Sequence, residues 1–133
     1  MRLLLIEDDV MVGAGIRLGL RQDDFVVDWV QDVPAAETAL QSESYSVVVL
    51  DVGLPRKHSL MILEALHRQS SPIPVVIIDL HGTEVRRAME GGDLACNAVD
   101  LDELAARIRA AARRQADYGE RANSIFALPF SWG

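Results

Sequence analysis

A chain of 133 residues has the size of one domain, and with half of its residues hydrophobic it can bury a single core. A formal net charge of -7 argues against gripping nucleic acid through phosphate contacts of its own, and against an anionic membrane surface. One cysteine, Cys96, excludes an internal disulfide framework, and no apolar run approaches the ~20 residues that a membrane-spanning helix needs.

Leu3 to Ile6 form a short apolar run closed by three acids, Glu7, Asp8 and Asp9. The run predicts a strand at 2–6 and is too short for the apolar core of a secretion signal. A reducing cytoplasm is therefore the expected localisation. Val12, Ile16 and Leu20, spaced by four, predict a helix over 10–22. Phe25 to Val30 predict a second strand, and Ala36, Ala39 and Leu40 share a face of a helix over 33–42. Val47 to Leu50, stopped at Asp51, predict a strand at 46–51. Leu60, Leu63 and Leu66 recur along an expected helix over 58–69, and Pro74 to Ile78, stopped at Asp79, predict a strand at 74–79.

A helix at 83–91 and a weak strand at 94–99 are expected next. The most regular helix lies at 100–115, where Leu101, Leu104, Ile108 and Ala111 are spaced 3, 4, 3 and Asp100 and Glu103 form a capping box. Residues 1–115 are the expected body of the domain. Residues 116–133, with Tyr118, Phe126, Phe130 and Trp132 in no clear period, are expected as a tail rather than a second domain. That tail is expected to pack on the body, pair with another copy or stay disordered.

Short β-branched runs without alternation fit strands buried on both faces, and strand–helix alternation means right-handed βαβ units. The expected fold class is α/β, a doubly wound five-stranded parallel sheet. In such a sheet ligands bind beyond the carboxyl ends of the strands. If the first and third strands are neighbours, Glu7, Asp8 and Asp9 meet Asp51 there. Clustered carboxylates repel one another, and a hard divalent cation such as Mg²⁺ relieves that repulsion. An Asp beside such a cation can accept a phosphoryl group. For Asp9 alone, capping the following helix is an equally simple role.

Leu-Leu-Leu-Ile-Glu7-Asp8-Asp9, together with Val-Val-Val-Leu-Asp51-Val-Gly53-Leu-Pro55, resembles response-regulator receiver domains of the CheY-like, flavodoxin-like fold. The closest likeness is to receivers that precede a winged-helix DNA-binding domain in OmpR-type regulators. Gly15 to Leu20, Val27 to Val30 and Asp100 to Leu104 strengthen it, and it covers about 1–115. The resemblance implies a cytoplasmic module of two-component phosphorelay signal transduction, with a role in transcription regulation. It implies Asp51 as phospho-acceptor, Glu7 and Asp8 as metal-binding acids and the backbone carbonyl of Gly53 as a further Mg²⁺ ligand. The implied partner is a sensor histidine kinase carrying a phosphohistidine. A homodimer through the fourth-helix, fifth-strand, fifth-helix face is also implied. Pairing through the tail is an expectation from its residues, and the acidic charge leads to the expectation of no nucleic acid or membrane contact by this domain.

The chain departs from that pattern after residue 78. The family places Ser or Thr at the end of the fourth strand, where it donates to the phosphoryl oxygen; here stands Asp79, which when ionised only accepts. The next position, usually Ala, is Leu80. The family's Lys-Pro at the end of the fifth strand is absent, since the single lysine is Lys57 and no proline lies between Pro74 and Pro129. The stretch from 79 to 100 is also a few residues shorter than the family's. Lys57, Arg86 and Arg87 are candidate substitutes for the missing ammonium. An atypical receiver is therefore expected, with an altered region between the fourth and fifth strands and with phosphorylation switching at Asp51 lost or altered. Mg²⁺ binding is expected to be weak or absent, or to persist.

Other residues fit plainer roles. His58, His67, His81 and Cys96 lack metal-ligand spacing. Trp29 reads as a packing residue. Arg107, Arg109, Arg113 and Arg114 read as a solvated helix face or as dimer salt bridges. Two other functions compete with the atypical module: a working phospho-acceptor using Asp51 and Mg²⁺, and a small-ligand-binding flavodoxin-like domain. The last lacks a glycine-rich phosphate loop after the first strand. None of these readings is that of an enzyme beyond autophosphoryl transfer to Asp51. Both a fragment of a longer regulator and a stand-alone receiver fit the sequence.

Overall fold

Strand β1 (Arg2–Ile6) lies between β2 (Val26–Val30) and β3 (Val47–Asp51) in a computed structural model that describes residues 1–51, 56–68, 73–78, 101–118 and 125–128. β3 is flanked in turn by β4 (Val75–Ile78), and β5 (Ile125–Leu128) takes the edge beside β4. The order is β2-β1-β3-β4-β5 and every pairing is parallel. Parallel sheets are stable when both faces are covered. Here α1 (Val10–Gln22) and α4 (Leu101–Tyr118) cover one face, and α2 (Val33–Ser42) and α3 (Arg56–His67) the other.

Strand side chains alternate between the two layers. Leu3, Leu5, Val47, Val49, Val76 and Ile78 pack with Val12, Ile16 and Leu20 of α1 and with Leu104 and Ile108 of α4. Leu4, Ile6, Val48, Leu50 and Val75 pack with Ala36 and Leu40 of α2 and with Ile62 and Leu66 of α3. α1 and α4 approach closely because Gly19 has no side chain: a Cβ there would overlap Leu101.

Up to residue 78 the observed bounds fall within two residues of those expected from periodicity. The expected helix at 83–91 and strand at 94–99 lie outside the described residues. The strand beside β4 comes instead from 125–128, in the segment expected as a tail that packs on the body, pairs with another copy or stays disordered. Four apolar residues, Ile125 to Leu128, carry too little pattern to mark a strand. One core expectation fails on α3. Leu60 is 52% exposed, while Ile62, Ala65 and Leu66 are buried. Residues two apart on a helix point away from each other, so once Ile62 faces the sheet Leu60 cannot.

The turn after α1 is a Schellman motif built without glycine. The Asp24 N–H donates to the Arg21 carbonyl (3.1 Å) and the Phe25 N–H to that of Leu20 (3.3 Å). Asp24 supplies the left-handed residue, with φ 68°, a conformation that Asp tolerates better than most side chains. Phe25 and Leu20 then meet in the core, as the motif requires. The guanidinium of Arg109 sits 5.0 Å from the centre of the Phe25 ring and donates to the Asp23 carbonyl (3.4 Å), so this arginine does more than solvate α4.

A polar cluster ties β2 to the segment before β3. Asp28 accepts from the Tyr45 hydroxyl at 2.8 Å and from Arg2 Nε at 3.2 Å. Burial first, and then the bond to Asp28, hold the Tyr45 hydroxyl above the usual tyrosine range.

Two stability measurements follow from this packing. In denaturant unfolding, Ile62→Ala should cost roughly 2–5 kcal/mol, whereas Leu60→Ala on the same helix should stay within about 0.5 kcal/mol of the unsubstituted chain. A raised folded-state pKa means that Tyr45 contributes stability below its unfolded value of about 10. That contribution should fade as the pH rises above it, and Tyr45→Phe should flatten this part of the alkaline stability profile.

Candidate metal centre

The register of β1 against β3 pairs Ile6 with Leu50. The next residue of each strand line is an acid, Glu7 on one and Asp51 on the other, so the two carboxylates emerge side by side at the carboxyl end of the sheet. Asp8 follows in the turn. One carboxylate oxygen from each of Glu7, Asp8 and Asp51 lies within 4.8 Å of the others. Glu7 and Asp51 are fully buried and Asp8 is exposed, so the cluster has a buried side and a solvent side.

The turn is held from several directions. The Glu7 N–H donates to the Val30 carbonyl (3.1 Å), and the Trp29 indole N–H donates to the Glu7 carbonyl (3.0 Å). The Asp9 N–H donates to Glu7 Oε1 (3.3 Å). Asp9 itself caps α1, accepting from the Val12 N–H at 3.0 Å, which is the simple role its position suggested.

Like charges at this spacing, two of them buried, repel strongly. Among the described residues the donors are carboxylate oxygens with no His or Cys, a set that suits a hard cation such as Mg²⁺ rather than a transition metal, and the exposed side leaves room for retained waters. The donor set therefore fits the cation expected from sequence.

Glu7, Asp8 and Asp51 are thus brought together. Gly53, Asp79, Leu80, Arg86 and Arg87, with His81 and Cys96, lie outside the described residues. Lys57 is exposed on the first turn of α3, and His58 and His67 are also exposed. Trp29 is the residue whose part the sequence understated, because its hydrogen bond to the Glu7 carbonyl adds to its packing. The available signal was a glycine, Gly13, on the helix face that meets it: a Cβ there would overlap the indole.

A sheet of order 2-1-3-4-5 defines a flavodoxin-like α/β domain, and its acids gather beyond the carboxyl ends of β1 and β3, at the switch point where such sheets take ligands. The chain belongs to the response regulator receiver domain family, which matches residues 3–108. It is 43% identical over 118 residues to the response regulator protein PmrA of Pseudomonas aeruginosa, covering 86% of this chain and 53% of that protein. It is 38% identical over 122 residues to the transcriptional regulatory protein QseB of Haemophilus influenzae, covering 89% and 55%. The chain thus spans about half the length of these relatives. Among solved structures, the receiver domain of the Francisella response regulator 1452 aligns with a TM-score of 0.65 at 22% identity, over 86% of this chain and 98% of that one. TrrA of Thermotoga maritima, solved in complex with Mg²⁺-BeF, aligns with a TM-score of 0.62 at 18% identity, over 83% and 97%. At those identities the likeness is one of fold. The chain is a receiver domain of two-component response regulators, a signalling module whose relatives regulate transcription. No helix among the described residues is long and apolar enough to cross a membrane.

Removing one of the crowded charges should relieve repulsion. In metal-free buffer Asp51→Asn is expected to stabilise the fold by on the order of 1–3 kcal/mol, the scale of one like-charge contact at intermediate dielectric; denaturant unfolding in chelator measures it.

Proposed function

We propose that this receiver holds Mg²⁺ on Glu7, Asp8 and Asp51, accepts a phosphoryl group on Asp51, and has lost or altered the switch that normally follows. The observation that carries the first part is the convergence of the three carboxylates within 4.8 Å. The backbone carbonyl of Gly53 is the further ligand implied by the family pattern. Bound there, Mg²⁺ would screen the negative charge of incoming phosphoryl oxygens.

The residues of the chain then have distinct tasks. The Asp51 carboxylate, at the end of β3, is the nucleophile. One of its oxygens attacks phosphorus, an O–P bond forms, and the bond from phosphorus to the donor nitrogen breaks. The electron pair leaves with the imidazole of a phosphohistidine, which then takes a proton from water. A sensor histidine kinase is the donor of that chemistry. Glu7 and Asp8 hold the cation.

The second part rests on residue types. A ligand shifts a two-state equilibrium only through contacts that differ between the states. Where the family has a hydroxyl and an ammonium to sense the phosphoryl charge, this chain has Asp79 and no lysine after Lys57. An ionised Asp79 repels the group that a hydroxyl would hold. Lys57, Arg86 and Arg87 are the cations left to substitute.

Intact mass after incubation with Mg²⁺ and a small-molecule phosphodonor tests both parts, with oligomeric state measured on the same sample. A phosphoryl adduct on the unsubstituted chain, none on Asp51→Asn, and no change in oligomeric state is the expected result. A folded protein that takes no adduct overturns the acceptor role. An adduct that drives dimer formation overturns the altered switch.

A further inference from the structure

We propose that Trp29 is a positioning residue for the acidic site, acting through the backbone of Glu7. The inference rests on the Mg²⁺ reading above and adds a residue to it. Trp29 lies on β2, paired in register with Leu5, two residues before Glu7. From there its indole N–H reaches the Glu7 carbonyl at 3.0 Å. The Glu7 N–H is already committed to the Val30 carbonyl. Glu7 is therefore clamped at both its amide and its carbonyl by consecutive residues of β2. Its carbonyl belongs to the peptide that leads into Asp8, so the same clamp fixes where both metal-binding acids start.

The indole is itself held in place. On one side α1 offers Gly13, where any side chain would overlap the ring. The guanidinium of Arg17, one helical turn further along, stands 5.4 Å from the ring centre. A cation over the ring face is attracted by its quadrupole. A partly buried indole that filled space alone would need neither a glycine notch nor an aimed N–H. Partners behind metal ligands commonly set ligand orientation, and their loss typically weakens metal binding 10–100-fold.

Trp29→Phe keeps an aromatic ring against Gly13 and the core but cannot donate. The test measures Mg²⁺ affinity by calorimetry, which does not depend on tryptophan, for the unsubstituted chain and for Trp29→Phe. The expected result is a loss of affinity of about tenfold in a variant that still unfolds cooperatively. A purely structural role would lower the melting temperature and leave the affinity unchanged, and that outcome overturns the proposal. A second readout uses Trp132→Phe, which leaves Trp29 as the only tryptophan. Its emission should change on Mg²⁺ addition with the half-saturation that calorimetry gives. Silent emission while Mg²⁺ binds overturns the proposal as well, and this arm decides alone if Trp29→Phe does not fold. An unsubstituted chain that binds no Mg²⁺ removes the metal reading and this inference together. Binding that Trp29→Phe leaves intact removes the inference alone.

Discussion

Leu3 to Ile6 pair in parallel with Val47 to Leu50, and helices cover both strands on both faces. In a strand with one solvated face, a slip of one residue exchanges buried for exposed side chains. Between two cores the penalty takes another form. A slip would move each side chain into the opposite layer, against a different pair of helices. The register is therefore set by the packing of α1 and α4 against Leu3, Leu5, Val47 and Val49, and of α2 and α3 against Leu4, Ile6, Val48 and Leu50. With Ile6 beside Leu50, the acids that follow have no choice but to adjoin. The hydrophobic core thus specifies the charge cluster, although no charged residue takes part in setting it.

α1 links this register to the rest of the domain because it is fastened at both ends by different means. At its start Asp9 caps the helix and Trp29 wedges against Gly13. At its end the Asp24 turn brings Phe25 back under Leu20, where Arg109 of α4 covers the ring. The helix can neither slide nor roll without breaking one of these contacts. Its first turn, and with it the Glu7-Asp8-Asp9 corner, inherits that rigidity.

The first 78 residues were legible because each element has one strong signal. Runs such as Val47 to Leu50 are short, β-branched and without alternation, which fits strands buried on two sides, and Val12, Ile16 and Leu20 repeat at the helical period. The acidic site was legible for the same reason, since its three acids sit directly after two such runs. Three features were not. Leu60 was misplaced because α3 carries apolar residues on more than one face, and only contact with the sheet chooses between Ile62 and Leu60. The bond from Trp29 to the Glu7 carbonyl depends on one side chain meeting a backbone atom 22 residues away, which leaves no periodic trace. β5 is four residues long, and pairing with β4, rather than its own pattern, defines it.

That last strand has a consequence for how the chain is made. β1 to β4 all lie within the first 78 residues and can pair as soon as they emerge. The partner for the outer side of β4 arrives only with 125–128, after α4. Through that interval no described residue pairs with the outer side of Val75 to Ile78, four apolar residues with no charge among them and a row of N–H and C=O groups. Such an edge is a template for any extended chain nearby. The vulnerable moment of this fold is therefore during synthesis, when a neighbouring nascent chain competes for the seat that β5 will later occupy.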